Sequence, residues 1–209
     1  MRHSVGIFSA ILFIVLAAGV QAQARFDASV WGGLAMGQID GDGAGSYNHP
    51  GLTAGVESSF ALGDIDSPLR AMVGVGFMQK GSHVSNIGRI ISLNYVEIPV
   101  MLTASFSRDR LRAGLGFAPA VLVAANVHDD GVDNPTQSGN YRRFDALPFL
   151  ASVRYLLSDH FGFELRYENS LLPVTKQSGS GTYRIVRSNQ GAFNRLLTIG
   201  IVYRWLPSR

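Results

Sequence analysis

The chain has 209 residues, enough for one domain or two small ones, and 46% of them are hydrophobic while only 16% are charged, a balance that excludes intrinsic disorder. The net charge of +3 comes almost wholly from arginine, and the basic residues are not clustered as a nucleic-acid groove requires. There are no cysteines, which excludes disulfides, thiolate metal sites and cysteine nucleophiles.

The first predicted element is a targeting segment. A basic start precedes an apolar run (residues 5–20), and small residues follow it. This arrangement is typical of a secretory signal peptide that is cleaved after Ala22, or alternatively after Ala24. The run is shorter than the roughly 20 residues that a membrane-spanning helix needs. We therefore expect residues 1–22 to be a signal peptide and residues 23–209 to form one exported domain.

Beyond residue 25, apolar residues alternate with polar or small ones, and turn-forming clusters interrupt the alternation. Eight segments show this pattern: 26–36, 51–62, 69–80, 91–106, 111–125, 146–157, 161–172 and 194–205. Each is near the length at which a tilted β-strand crosses a bilayer. The sequence therefore predicts an all-β fold of about eight strands.

The links between these segments are predicted to alternate strictly between short turns and long loops. The short turns are 63–68, 107–110 and 158–160, and the long loops are 37–50, 80–90, 126–145 and 173–193. Barrels of the bacterial outer membrane have short periplasmic turns and long outer loops. A soluble secreted barrel, the non-membrane alternative, has no reason to alternate loop length in this way.

The two faces of each predicted strand differ sharply. Leu69 and Phe77 share an apolar face, for example, whereas Arg70 and Gly74 lie on the opposite face. In a soluble barrel the apolar face would point inward, and the glycines would lie outside, where nothing requires them to be small. The inverse arrangement is consistent, because an apolar band then faces lipid and a narrow lumen holds small residues and charge pairs. This favours an antiparallel, up-and-down transmembrane β-barrel.

Ionisable residues on the polar faces predict a charge network in the lumen, because charged groups at membrane depth pair with one another. The network comprises Glu57, Arg70, Glu97, Arg112, Arg154, Glu164, Arg166, Glu168 and Arg204. The planar fork of arginine suits it to bridge carboxylates. Loss of Glu97 is expected to leave an arginine unpaired and to lower the unfolding temperature. Pro99, two residues later, lacks a ladder donor, and a bulge would accommodate it.

The last strand resembles the C-terminal assembly signal of outer-membrane proteins. In TIGIVYRW the signal positions are occupied by Thr198, Gly200, Tyr203 and Trp205. The mature chain resembles the PorT-like outer-membrane β-barrel family, on the segments WGGL (31–34), DGD (40–42), GFMQKGS (76–82), LNYVEIPVML (93–102) and FELRYENSLL (163–172). The resemblance implies a compact barrel in the outer membrane and says little about a ligand.

We predict no catalytic, cofactor-binding or metal-binding residues. The segment 40–51 opens like a calcium loop, but Gly51 stands where a bidentate glutamate belongs. Ser82, His83 and Ser85 are a tight group of the kind that an interfacial lipid-modifying enzyme uses, yet they have no recognisable orienting acid. The protein is therefore not expected to be an enzyme.

The sequence thus predicts an outer-membrane barrel that is exported through the general secretory pathway and has both termini in the periplasm. Its expected role is structural or surface interaction with a plugged lumen; a narrow pore for small solutes or ions is the alternative. Expected partners are outer-membrane lipid and lipopolysaccharide, the barrel assembly machinery during biogenesis, and an unidentified surface or periplasmic protein. Loop arginines available for lipopolysaccharide are Arg142, Arg143, Arg184, Arg187 and Arg195.

Overall fold

The computed structural model describes residues 26–43, 46–63, 67–107, 109–176 and 191–205. Its strands are β1 (Phe26–Asp40), β2 (His49–Ala61), β3 (Leu69–Val84), β4 (Arg89–Glu97), β5 (Val100–Phe106), β6 (Leu111–Phe117), β7 (Ala120–Asp129), β8 (Val132–Asp133), β9 (Phe144–Asp145), β10 (Pro148–Leu156), β11 (Phe161–Ser170) and β12 (Phe193–Trp205). The connections contain a 3-10 turn at Ser85–Ile87 and a short helix, α1 (Pro135–Ser138). The predicted signal peptide, with both cleavage sites, lies outside the described residues.

The strands form one antiparallel sheet that closes on itself, because β1 pairs with both β2 and β12. Eight spans make up the ring in chain order: β1, β2, β3, β4 with β5, β6 with β7, β9 with β10, β11 and β12. The two-residue strand β8 pairs with the end of β7. The predicted eight-stranded antiparallel barrel is therefore confirmed. In the described part of the chain, no helix is long and apolar enough to cross a membrane.

Three adjacent spans carry a proline at the same height, and this explains why each is divided into two strands. Proline has no N–H to donate, so Pro99, Pro119 and Pro148 each remove one ladder bond. Their carbonyls still accept backbone hydrogen bonds from the neighbouring span. Gly74 N donates to Pro99 O at 3.0 Å, Ile98 N to Pro119 O at 2.9 Å, and Ala118 N to Pro148 O at 3.0 Å. Pro99 is thus accommodated by an aligned break in the ladder and not by a bulge of its own.

A bulge lies further along the same pair of spans. Tyr95 pairs with Leu122 and Asn94 with Ala124, so Val123 has no partner on β4. The extra residue shifts the alternation of β7, and Val127 is buried in the interior. Uninterrupted alternation from Val123 would have turned that side chain outward.

The connections differ from the prediction in two respects. β3 continues to Val84 and β4 begins at Arg89, so the predicted long loop at 80–90 is wrong. Asn48 extends the sheet beside β3, because its amide donates to His83 O at 2.5 Å and accepts from His83 N at 3.0 Å. Since the links at 41–48 and 62–68 are also nearly equal in length, the predicted strict alternation is wrong as well.

The connections define two ends of the barrel. The turn end carries the links at 62–68, 107–110 and 157–160, together with the start of β1 and the end of β12. The loop end carries the links at 41–48, 85–88, 130–143 and 171–192.

Candidate functional site

The outer surface of the barrel wall is apolar, and its interior is polar. Leu52 is 60% exposed, whereas the next residue, Thr53, is 3% exposed and faces the lumen. The same inversion recurs around the ring, since Leu115 and Ile199 are exposed on β6 and β12. A water-soluble protein buries such side chains, so this wall is suited to contact lipid.

All nine residues of the predicted lumen network lie inside the barrel, and each is at most 7% exposed. The shorter ion pairs group them, with further residues, into three clusters. The turn-end cluster consists of Asp27, Arg70, Asp109, Arg112 and Arg204. The central cluster consists of Glu57, Arg154, Glu164 and Arg166. The Lys80 cluster consists of Lys80, Glu97, Asp145 and Glu168. Arg166 of the central cluster also lies 3.7 Å from Glu97 of the Lys80 cluster, and Asp145 belongs to the Lys80 cluster through its electrostatic interaction with Lys80.

The turn-end cluster is built around two aspartates that bridge arginines of different spans. Asp27 on β1 accepts from Arg112 on β6 at 2.8 Å and lies 3.2 Å from Arg70 on β3. Asp109 reaches in from the turn between β5 and β6 and binds Arg112 at 2.7 Å and Arg204. Its backbone φ is +68°, a left-handed conformation that aspartate tolerates better than most residues. These contacts tie together four spans at the turn end.

The environment of Asp109 favours its charged form. Burial works to raise the pKa of this carboxyl, but hydrogen bonds and charge from Arg112, with further hydrogen bonds from Arg204 and Ser105, hold the pKa well below its usual range. Asp109 is therefore an ionised bridging group at neutral pH.

In the central cluster two arginines share two glutamates. Arg154 binds Glu57 at 2.6 Å and Glu164 at 3.0 Å. Arg166 lies 3.5 Å from Glu57 and 3.2 Å from Glu164. The cluster therefore joins β2, β10 and β11 with equal numbers of positive and negative groups.

Trp31 on β1 faces the lumen, and the space that its ring occupies explains why residues 55 and 76 are glycines. The Arg166 guanidinium lies over its ring, 4.1 Å from the centroid, a favourable cation–π arrangement. A Cβ atom at Gly55 would lie 2.6 Å from the Trp31 ring, and one at Gly76 would lie 2.9 Å from it. Only residues without a side chain leave room for the indole, which is why β2 and β3 carry glycine beside it.

The loop end of the lumen is filled by apolar side chains. The buried cluster contains Ile39, Ile91, Leu93, Tyr95, Ala120, Val127 and Ala192, with Leu122, Ala125 and Tyr141 packed against it. Tyr141 comes from the link at 130–143, which is held in place because Arg142 N donates to Val174 O at 2.7 Å and Lys176 N to Asn140 O at 2.8 Å. We call this group the loop-end core.

One cavity of about 10 Å³ lies between the turn-end and central clusters, enough for about one water molecule. Its lining residues are Ser59, Met72, Thr103, Arg112, Ala113, Ser152 and Arg154.

The sequence prediction missed four charged members of the lumen. Asp27 and Lys80 lie near the ends of predicted strands and share the parity of their inward-facing neighbours, so the alternation indicates their direction. Asp145 precedes its predicted strand and has the parity of Leu147, which is 38% exposed, so the alternation predicts the wrong face for it. Asp109 lies in a turn, and no sequence pattern indicates that its side chain reaches back into the lumen.

The predicted assembly-signal residues all lie on β12. Thr198 faces the interior and is 4% exposed. Tyr203 and Trp205 face outward at the turn end, with ring centroids 5.1 Å apart in an edge-to-face arrangement. The fourth residue, Gly200, pairs with Gly33 of β1 at the seam that closes the barrel. Their role in assembly stays a prediction.

The residues weighed for chemistry do not converge. Ser82 is fully buried on the inner face of β3, and His83, the next residue of the strand, lies on the opposite face. Ser85 follows in the 3-10 turn. Across the described ranges, no group of three or more His, Asp or Glu side chains is arranged to hold a metal ion.

A closed antiparallel ring with an apolar outer wall and a charged interior defines a membrane-spanning β-barrel. The chain belongs to the outer membrane protein beta-barrel domain family, whose model matches residues 21–176. A search of curated proteins gives no match.

Several solved structures are similar to this chain. One is Ail, the attachment invasion locus protein of Yersinia pestis, in complex with the heparin analogue sucrose octasulfate (13% identity, 87% of this chain, 99% of that chain, TM-score 0.49). Another is Neisserial surface protein A (12% identity, 88% and 100% coverage, TM-score 0.49). A third is the de novo designed TMB2.3 (14% identity, 90% and 99% coverage, TM-score 0.38).

Proposed function

We propose that this protein is a PorT-type barrel of the bacterial outer membrane with a closed lumen, acting as a structural or surface-interaction protein. The filling of the lumen carries the proposal. Arg154 and Arg166 cross the middle of the barrel in ion pairs as short as 2.6 Å, and the loop-end core covers them. The interior of an eight-stranded barrel is just wide enough for side chains. A passing solute would have to break several buried ion pairs.

Planar-bilayer recording tests the closed lumen. The protein is purified in detergent, and its folded state is checked by heat-modifiable gel mobility before insertion. We expect no stepwise currents from the wild type. The double variant Arg154→Ala, Arg166→Ala removes the central filling and serves as the comparison, in which currents are expected. Stepwise currents from the wild type would assign a narrow pore instead.

We propose that the turn end, with both termini, lies in the periplasm, after export through the general secretory pathway and cleavage of residues 1–22. The short turns at 107–110 and 157–160 support this orientation, because outer-membrane barrels have short periplasmic turns. The assembly machinery would then recognise β12. Surface labelling of cysteines introduced in the link at 130–143 of intact cells tests the orientation; labelling only after the outer membrane is opened would reverse it.

We propose contact with lipopolysaccharide through exposed basic residues at the loop end. Arg142 and Lys176 are anchored, since Arg142 Nε donates to Thr175 O at 2.9 Å and Lys176 Nζ to Gly139 O at 2.7 Å. Arg143 is exposed beside them. Fixed cations at this height suit anionic head groups. Of the other predicted arginines, Arg195 pairs with Asp40 at 3.0 Å; Arg184 and Arg187 lie outside the described residues.

The lipopolysaccharide contact is tested by co-purification of the lipid with the wild type and with Arg142→Ala, Arg143→Ala. Loss of bound lipid in the double variant is expected, with the thermal melt unchanged. Equal retention would remove these residues from the contact. We also propose that the protein binds an unidentified surface or periplasmic protein.

We propose that the protein is not an enzyme. The opposite orientations of Ser82 and His83 support this, because a nucleophile and its base must lie within hydrogen-bond reach. Incubation of the folded barrel with purified lipid A tests it. Hydrolysis or acyl transfer that is lost in His83→Ala would restore the lipid-modifying alternative.

A further inference from the structure

The Lys80 cluster is the part of the lumen where carboxylates outnumber cations. Lys80 on β3 donates to Glu168 on β11 at 2.7 Å, and its Nζ lies 4.0 Å from Glu97 on β4. Asp145 on β9 completes the cluster, and all four side chains are at most 2% exposed. The surrounding spans present to it Tyr95 of β4, Arg166 and Glu164 of β11, Glu57 of β2, and the uncharged Trp31 of β1 and Asn194 of β12.

Neighbouring charges do not correct this imbalance. The central cluster is already balanced, because its two arginines face two glutamates. The single ammonium of Lys80 is matched by Glu168, its hydrogen-bonded partner. Glu97 therefore has only the longer ion pairs with Lys80, at 4.0 Å, and Arg166, at 3.7 Å, and both of these cations have nearer carboxylate partners.

The carboxyls of Glu97 and Asp145 accept few hydrogen bonds. Neither oxygen of Glu97 has a hydrogen-bond partner, and the nearest Arg166 nitrogen is 3.7 Å away. Asp145 receives only uncharged donors, Ser170 at 2.5 Å and Asn194 at 3.5 Å, and its Oδ1 has none. A buried carboxylate without donors is far costlier than the neutral acid, which is itself a donor.

We propose that Glu97 and Asp145 are protonated in the folded barrel at neutral pH, so that the Lys80 cluster is a buried binding site for two hydrogen ions. Glu168 is the direct partner of the Lys80 ammonium, which donates to it at 2.7 Å. A metal cation in place of the protons would have to lie beside the Lys80 ammonium, which repels it. The inference goes beyond the closed-lumen function and does not depend on it.

Infrared spectroscopy of the folded protein at neutral pH tests the proposal. Exposed carboxyls are ionised there, so a carbonyl band of protonated carboxylic acid must come from buried groups. We expect such a band in the wild type, with Glu97→Gln and Asp145→Asn each removing about half of it and the double variant removing it all. Glu164→Gln is the matched control and leaves the band unchanged, because Glu164 is paired with two arginines.

Thermal unfolding in the same detergent gives a second readout. Glutamine and asparagine imitate neutral acids, so Glu97→Gln and Asp145→Asn are expected to unfold at or above the wild-type temperature. Glu168→Gln is expected to unfold at a lower temperature, because it leaves the Lys80 ammonium buried without its hydrogen-bonded anion.

The sequence led us to expect that loss of Glu97 would leave an arginine unpaired. In the structure Arg166 keeps Glu57 and Glu164 as partners when Glu97 is removed.

Three results would overturn the proposal. One is a wild-type spectrum without a protonated-acid band. Another is a band that appears only after chelation, which would assign a bound metal ion. The third is a loss of stability in Glu97→Gln and Asp145→Asn as large as that in Glu168→Gln.

Discussion

Two regions of the same strands follow opposite patterns. In the middle of the barrel, β4 turns Val96 outward and buries Glu97. Three residues closer to the loop end, Leu93 is fully buried in the loop-end core, and the polar Asn94 lies on the outer face. On β3, Gln79 likewise faces outward between two buried residues. The medium outside the wall explains the inversion: lipid requires an apolar exterior, whereas water permits a polar exterior over an apolar core. We therefore expect the wall to leave the membrane near this inversion.

The largest expected effect comes from breaking the ion pairs of the central cluster. Arg154→Met keeps most of the side-chain volume but leaves Glu57 and Glu164 short of a cation. Removing one partner of a buried ion pair costs about 3–5 kcal/mol. Urea unfolding in detergent measures the loss, and Arg142→Met at the exposed loop end is the control. A loss below 1 kcal/mol in Arg154→Met would show that this cluster does not hold the barrel together.

A matched pair of leucine truncations compares the loop-end core with the outer, lipid-facing wall. Leu93→Ala removes a buried side chain from the loop-end core and is expected to cost about 2–5 kcal/mol. Leu102→Ala removes one from the outer face of β5, where Leu102 is 53% exposed, and lipid fills the space. We expect a clearly smaller loss there in the same unfolding assay. Equal losses would mean that the loop end is not packed as a water-facing core.

Arginine substitution locates the membrane boundary directly. Leu102→Arg places a charge against the middle of the bilayer and is expected to cost about 2–4 kcal/mol, whereas the cost near the interface is about 0–1 kcal/mol. Asn94→Arg, on the outer face beyond the inversion, should fall in the lower range. Unfolding in lipid vesicles measures both. Comparable costs at the two sites would place the boundary nearer to the loop end than we infer.

The smallest effect concerns Asp109 at the turn end. Because its folded-state pKa lies below that of the unfolded chain, its stabilisation is present above the ordinary aspartate pKa of about 3.9 and is lost as the pH falls through the folded value. Asp109→Asn should therefore be less stable than the wild type at neutral pH, and the difference should shrink under acid conditions. Asp133→Asn, in an exposed pair, is the control and should change little. A pH-independent difference would point to lost geometry and not to charge.

The lumen network could be predicted because a strand alternates strictly and lipid excludes charge. Given those two facts, Glu57, Arg112, Glu164 and the other charged residues of one parity had to lie together inside a barrel. The strand ends within 80–90 could not be recognised in the same way. The polar residues of this segment read as a loop, but Lys80 and Ser82 face the interior from β3 and His83 lies on the outer face, so only 85–88 form the turn.

The sequence by itself determined the all-β class, the number of spans and the side of the wall on which each strand carries its charges, because all three depend only on period and composition. The tertiary structure alone decided which charges meet. It aligned three prolines into one seam, brought Asp109 back from a turn, and left Glu97 beside a lysine that already serves Glu168. The reason is that the alternation of one strand fixes the direction of a side chain but not its height. Relative height in a barrel follows from the register of neighbouring strands, which is settled only when the ring closes.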